Sequence, residues 1–429
     1  MARKMKDSGI EWIGEIPEGW SKNKVIRLFD IIGSGTTPKN ITSDFPVVNW
    51  IQSGDITGSF MPTCKNVISA NLLSQYSALK VYPAPFIIIA MYGASVGNAS
   101  ISLIDGCVNQ ACCVLSSPSC NLHYAFYVIK SAQSYLVRKA VGGGQPNISQ
   151  ETIKQLWLPL PPLSTQDIIV RNLDATCSKI DDLLSSVHAS IEEYKKLKQA
   201  VITLAVTKGV RGEREMKDSG VEWIGEIPTT YSICKLKYLL KNPLKYGANE
   251  SGIPYSDSLP RYIRITDITP DGNLKYTGKL SLSEESAKDY ILEDGDILFA
   301  RSGATVGKTF IYYQSYGRSA YAGYLIKASL NNKVSPKFVY YYTCSSLYEI
   351  WKNSIFIQST IQNIGADRYA NLPVPVPKTL QEQEEIADYL DAKCAEIDKL
   401  IAKKEQLVKE LESYKKSLIY EVVTGKREV

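Results

Sequence analysis

The chain has 429 residues, 44% of them hydrophobic and 22% charged, which suffices for two to four packed domains and excludes a disordered or fibrous chain. Its longest apolar run, Pro85–Met91, falls far short of the ~18 residues of a membrane span, and the opening MARKMKDSG lacks the apolar stretch of a signal peptide, so a cytoplasmic protein is expected. The net charge of +5 is uneven: +4 over residues 1–163 (13 basic, 9 acidic), +1 over 164–214, +3 over 215–379 and −3 over 380–429, so a polyanion would be met by the first and third stretches.

In chain order, the first element is the motif MKDSGIEWIGEIP at Met5–Pro17. Residues 20–160 then read as short strands and turns, with the apolar run Phe86–Met91 as the clearest strand. Two glycine-rich loops, Gly33–Lys39 (GSGTTPK) and Gly142–Asn147 (GGGQPN), permit close backbone approach to a partner. Pro161–Pro162 stops the last strand, and Ser164–Thr165 is placed to cap a helix. Leu173, Cys177, Ile180, Leu184, Val187, Ile191, Tyr194, Leu197, Val201 and Leu204 then recur by threes and fours, the seam of a coiled coil.

The chain next repeats itself. Met216–Pro228 reads MKDSGVEWIGEIP, differing from the first copy only at Val221, and the repeat continues. WIQSGDI (Trp50–Ile56) answers YIRITDI (Tyr262–Ile268), YGASVG (Tyr92–Gly97) answers SGATVG (Ser302–Gly307), PNIS (Pro146–Ser149) answers QNIG (Gln362–Gly365), and LPLP (Leu158–Pro161) answers VPVP (Val374–Pro377). Residues 231–377 again read as strands, including the runs Ile297–Ala300 and Tyr321–Ala328. Ile386, Leu390, Cys394, Ile397, Ile401, Val408, Leu411, Leu418 and Val422 form a second seam, interrupted at Lys404. Each helix, of about 42 residues, would span roughly 63 Å. The fold class expected is α+β: two β-rich globular domains in tandem duplication, separated by two long helices that form an antiparallel coiled coil with pseudo-twofold symmetry. The first helix runs on into MKDSG and the last ends where a further copy would begin, so the termini are expected to lie close together.

Catalytic signatures do not hold up. Gly303–Thr309 (GATVGKT) has one residue too few between its glycines for a phosphate-binding loop, and a strand-like segment follows where a helix would be needed. Asn242-Pro243-Leu244 lacks the second proline and aromatic residue of an amino-methyltransferase motif. Two histidines and nine scattered cysteines offer neither a zinc site nor a nucleophile–base pair, and Asp294 and Asp296 flank Gly295 as turn residues. No metal site is expected.

The duplicated KDSG-x-EWIGEIP opening, the GD-I and TD-I turns, the GA-x-VG loops, and the PLPP-x-x-x-Q and PVP…QEQEEIA approaches to long helices resemble, over essentially the whole chain, the specificity subunits of type I restriction–modification systems. STQD at the first helix departs slightly from the QEQE of the second. The resemblance implies target recognition domains at 1–163 and 211–379, each reading one half of a bipartite, asymmetric DNA site. It implies spacer helices at 164–210 and 380–429, which set the spacer between half-sites and dock two modification subunits. No cofactor would bind this chain; S-adenosylmethionine, ATP and Mg would sit on the modification and restriction subunits, and this subunit would not be catalytic.

Candidate DNA contacts are loop residues, above all those that differ between equivalent positions. They are Thr36, Thr37, Lys39, Gln52, Tyr92, Asn98, Gln145 and Asn147 in the first domain, and Lys245, Arg264, Arg301, Lys308, Gln358, Gln362 and Asn363 in the second. Gln52 and Arg264 could equally pair with Asp55 and Asp267. Read from residues alone, an autonomous DNA-modifying enzyme with coiled-coil dimerisation and a protein-binding coiled-coil tether both remain open.

Overall fold

The computed structural model describes residues 3–429 except 40, 42, 142–145, 270–271 and 358–362. The chain divides into two compact units, Met1–Val187 with Gln406–Val429, and His188–Glu405, whose boundaries fall within two long helices.

In each unit the repeated motif folds as a small hairpin, Met5–Ile10 with Gly14–Pro17 and Met216–Asp218 with Glu226–Pro228. The aspartate carboxylate at each turn accepts an amide two residues on, Gly9 at 2.8 Å and Gly220 at 3.0 Å. Ile13, Ile16, Ile224 and Ile227 enter the cores. The near-identity of the motif therefore serves a turn and a core anchor.

Each domain is built on a central strand. In the first unit the sheet order is Ile31–Gly33, Cys112–Ser116, Phe86–Ala90, Ala99–Ser102, Phe60–Met61. In the second it is Lys245–Tyr246, Leu325–Ala328, Ile297–Ala300, Thr309–Ile311. Side chains of a strand alternate between faces, so continuous apolar runs mark strands buried on both sides. Ile87 and Ile89 join a core with the helix Leu122–Ser131, while Phe86, Ile88 and Ala90 join another with Ile51 and Met61. Ile297 and Phe299 face the helix Pro336–Thr343, and Leu298 and Ala300 face Ile263 and Ile268. The second face of each sheet is closed by another sheet containing one parallel pair: Cys107–Val108 on Trp50–Ile51, and Ser319–Tyr321 on Arg261–Ile263. The run expected at Tyr321–Ala328 is two strands in different sheets, separated by a turn through Gly323.

The long helices span Leu163–Lys208 and Leu380–Val423. Ser164–Thr165 does not cap the first, because the helix begins before them. The Pro162 carbonyl accepts the Thr165 and Gln166 amides (2.9 and 3.0 Å). In the second, the Thr379 hydroxyl accepts the Glu382 amide (3.3 Å). Gln166 and Gln383 are buried and donate to the carbonyls of Pro161 (2.9 Å) and Pro377 (3.1 Å), tying the start of each helix to the end of the segment before it.

Within each unit the helix segments pack antiparallel. Asp181 pairs with Lys415 in the first unit, and in the second Lys198 pairs with Asp398, Arg211 with Glu385 and Arg214 with Glu382. In the second unit each advance along the first helix and its exit is matched by an equal retreat along the second. Leu173, Cys177, Ile180, Ile191, Ile386, Leu390, Cys394, Ile397, Val408, Leu418 and Val422 are buried, and Leu184, Val187, Ile401 and Leu411 half-buried. Leu197 and Leu204, expected on the seam, are 49% and 59% exposed. The seam instead steps through Lys198, Ile202 and Ala205, the lysine reaching Asp398 from a half-buried stem. Lys404, read as an interruption, lies 5.7 Å from the Tyr194 ring centroid, a cation–π contact that fills the gap.

Two tyrosines tie the domains' helices to the long ones: Tyr127 donates to Asp174 and Tyr341 to Asp391, each at 2.6 Å. Burial and the neighbouring carboxylate push both phenols far up. At the chain's end, Lys426 Nζ and the Tyr420 hydroxyl donate to the Ile13 carbonyl (2.7 and 3.0 Å). In the second unit Lys208 Nζ donates to the Glu226 carbonyl (2.6 Å). The last residues thus rest on the first copy of the motif as the first long helix leads into the second. Among the described residues no helix is long and apolar enough to cross a membrane.

Candidate nucleic-acid interface

The loops at one end of each central sheet form a rim that the duplication builds twice. In the first domain the central strand runs into Met91, whose amide donates to the Ala111 carbonyl (2.7 Å) and whose carbonyl accepts from Ile148 (2.9 Å). In the second, Arg301 donates to the Tyr324 carbonyl (3.0 Å) and accepts from Ile364 (2.8 Å). Tyr92 bridges Asn147 and Ser302 bridges Asn363. Each GA-x-VG loop is a single 3-10 turn, Gly93–Ser95 or Gly303–Thr305, entered and left by glycines with φ between 73° and 81°, where an L side chain would be strained. Gly97 and Gly307 each donate back to the central strand, to Ala90 and Ala300, at 2.9 Å. A strand, not a helix, follows Gly307, so the loop lacks the helix N-terminus on which a phosphate-binding loop seats its phosphate.

A second correspondence escapes motif comparison. A methyl group at Gly35 would collide with the Val108 carbonyl, and one at Gly247 with the carbonyls of Tyr321 and Ala322. The loops GSGTTPK and KYGANES therefore cross the same neighbouring segment, although only the glycine is shared. The signal available in the sequence was a glycine 15 residues before the WIQSGDI and YIRITDI motifs.

On these frames the structure gathers some candidates and not others. In the first domain, Thr37 donates to Gln110 (2.6 Å) on the segment that receives Met91, and the Asn109 amide donates to Ile51 (3.1 Å), next to Gln52. Thr37, Gln52, Tyr92 and Asn147 thus share one rim, Tyr92 being 40% exposed. Thr36 is half-buried, Lys39 is exposed, and the Asn98 amide oxygen accepts from Gln133 (2.6 Å). Gln145, Gln358 and Gln362 lie outside the described residues.

In the second domain, Arg301, Lys308, Asn363 and the segment Lys245–Tyr246 share the rim. Lys308 is exposed with no side-chain partner among the described residues, and Asn363 is exposed. Lys245 donates to the Asp289 carbonyl (2.7 Å) and lies 5.1 Å from the Tyr290 ring centroid. Arg264 is committed to its own turn: it donates to both Asp267 oxygens (3.0 and 2.8 Å) and to the Gly278 carbonyl (2.9 Å), and the Asp267 hydrogen bond raises its pKa. Gln52 reproduces only the backbone part of that turn, its amide donating to Asp55 (2.9 Å).

Sequence reasoning passed over several exposed aromatics. Tyr276 is 88% and Tyr324 63% exposed, and Lys279 lies 5.0 and 6.0 Å from the ring centroids of Tyr255 and Tyr276. Isolated tyrosines carry no spacing signal that separates surface from core. Asp294 and Asp296 are turn residues, accepting the amides of Gln314 and Glu293 (each 2.7 Å). No cluster of metal-ligating side chains occurs among the described residues.

Comparison with known proteins bears on this doubled arrangement. A family model described as the type I restriction modification DNA specificity domain matches residues 17–193 and 250–410. The MjaVIII type I restriction enzyme specificity subunit of Methanocaldococcus jannaschii is 26% identical over 318 residues, spanning 71% of this chain and 69% of the relative. A putative MjaX specificity subunit of the same organism is 26% identical over 456 aligned positions, spanning 96% of this chain and 95% of its own. A solved structure described under complex assembly and conformational transition of the type I R-M system shares the fold, with a TM-score of 0.72 at 16% identity over 95% of this chain and 98% of that one. With both of its stretches matched and most of its length covered, the chain belongs to the family of type I restriction–modification specificity subunits and carries two specificity domains.

Proposed function

We propose that this subunit selects the DNA on which a type I complex acts, each domain reading one half of an asymmetric bipartite site. What supports the reading is the doubled rim: matched backbone hydrogen bonds carry Met91, Tyr92 and Asn98 in one domain and Arg301, Ser302 and Lys308 in the other. Fixed frames with different side chains suit two different half-sites, since phosphate contacts set register while base-edge contacts set sequence. The long helices hold the spacing between half-sites and dock two modification subunits. S-adenosylmethionine, ATP and Mg are then used by modification and restriction subunits, and this chain contributes recognition without chemistry.

Co-expression with the modification subunit in a host free of adenine methylation, followed by genome-wide mapping of methyladenine, tests the reading. The expected result is one gapped motif with two unlike halves, absent when this chain is omitted. A stable complex whose methylation pattern does not depend on this chain would contradict it.

A further inference from the structure

The geometry points to Arg301 as the residue that presents a ready-made hydrogen-bonding fork to a pair of acceptors on the second half-site, a guanine edge or a backbone phosphate. This rests on the DNA-reading role proposed above and names the chemistry of one of its two rims.

Among the basic candidates of that rim, Arg301 is held and yet uncommitted. Its backbone is clamped on both sides, to Tyr324 and to Ile364. Its guanidinium carbon lies 4.9 Å from the Tyr246 ring centroid, and the Tyr246 hydroxyl accepts the Ala366 amide at 3.0 Å, which holds the ring in place. Nε is buried, and no hydrogen bond or ion pair engages the guanidinium among the described residues. Arg264, by contrast, spends its donors on Asp267 and Gly278.

A guanidinium lying against an aromatic ring has its position fixed while its donor edge stays available. Two parallel N–H donors match the O6/N7 edge of guanine and equally two phosphate oxygens. Because the side chain is positioned before DNA arrives, less freedom is lost on binding. The first domain has Met91 at this place on the same backbone, and methionine has no donor. The fork therefore belongs to one half-site only.

The complex of full-length chain and modification subunits is used for the test, with Arg301→Met, Arg301→Lys and Tyr246→Leu compared with the unaltered protein. Duplexes substituted base by base are titrated at several salt concentrations, alongside methylation mapping. If the acceptor is guanine, Arg301→Met relaxes one position of the second half-site by about tenfold to a hundredfold, and Arg301→Lys restores binding without full discrimination. If it is phosphate, Arg301→Met weakens all sequences alike, lowers the salt slope by about one, and Arg301→Lys largely restores both. Tyr246→Leu shifts the same readout less, with the first half-site untouched. Unchanged motif and affinity in Arg301→Met overturns the inference, as does equal damage to both half-sites in Arg301→Lys. If the unaltered complex shows no bipartite motif, the function proposed above fails instead.

Discussion

The two rims share a backbone and differ in chemistry. The first offers hydroxyl, amide and aromatic groups: Thr37, Gln52, Gln110 and Tyr92. The second offers cations and tyrosines: Arg301, Lys308, Lys245, Tyr246 and Tyr324. The lesson is that duplication preserved the positions from which side chains project and released the side chains themselves. Elements common to both copies should respond alike to the same change, and rim residues should not.

The largest shared effect is expected where both loops cross a neighbouring segment. Gly35→Val and Gly247→Val each insert a side chain into backbone carbonyls, and overpacking of this kind costs about 1–3 kcal/mol or more. Thermal unfolding and hydrogen exchange should show each domain weakened by a similar amount. Tolerance at one position and collapse at the other would break the equivalence of the loops.

A smaller shared effect is expected at the tyrosine–aspartate bonds. Tyr127→Phe and Tyr341→Phe each remove one hydrogen bond of 2.6 Å, costing about 1.5 kcal/mol, the low end for a charged acceptor because both pairs are only part-buried. Denaturant titrations should give near-equal losses, with the recognised sequence unchanged. A change in motif from either variant would mean that the helix connection itself takes part in reading.

What the sequence revealed follows from how local each signal is. Central strands were legible because burial on both faces demands continuous apolar runs such as Phe86–Ala90 and Ile297–Ala300. The long helices were legible from periodicity, and the pairing of loop motifs from their shared order. The seam near the end of the first helix was misread because Leu197 and Leu204 fit an apolar template while Lys198 did not. In the structure a lysine stem can occupy the seam when Asp398 receives its head group. The engagement of Arg264 by Asp267 was visible only as an alternative, since three residues in a turn can bring the two together or apart. The stacking of Arg301 on Tyr246 joins residues far apart in the chain, across loops whose lengths and sequences differ between the copies, and nothing local signals it.

Two like frames carrying unlike side chains are expected to read two unlike half-sites. The most direct measurement is the methylation motif produced when residues 231–377 replace residues 20–160, so that both frames carry the second domain's side chains. The expected motif carries the second half-site twice, with its spacer length unchanged. A motif that still contains the first half-site would contradict it.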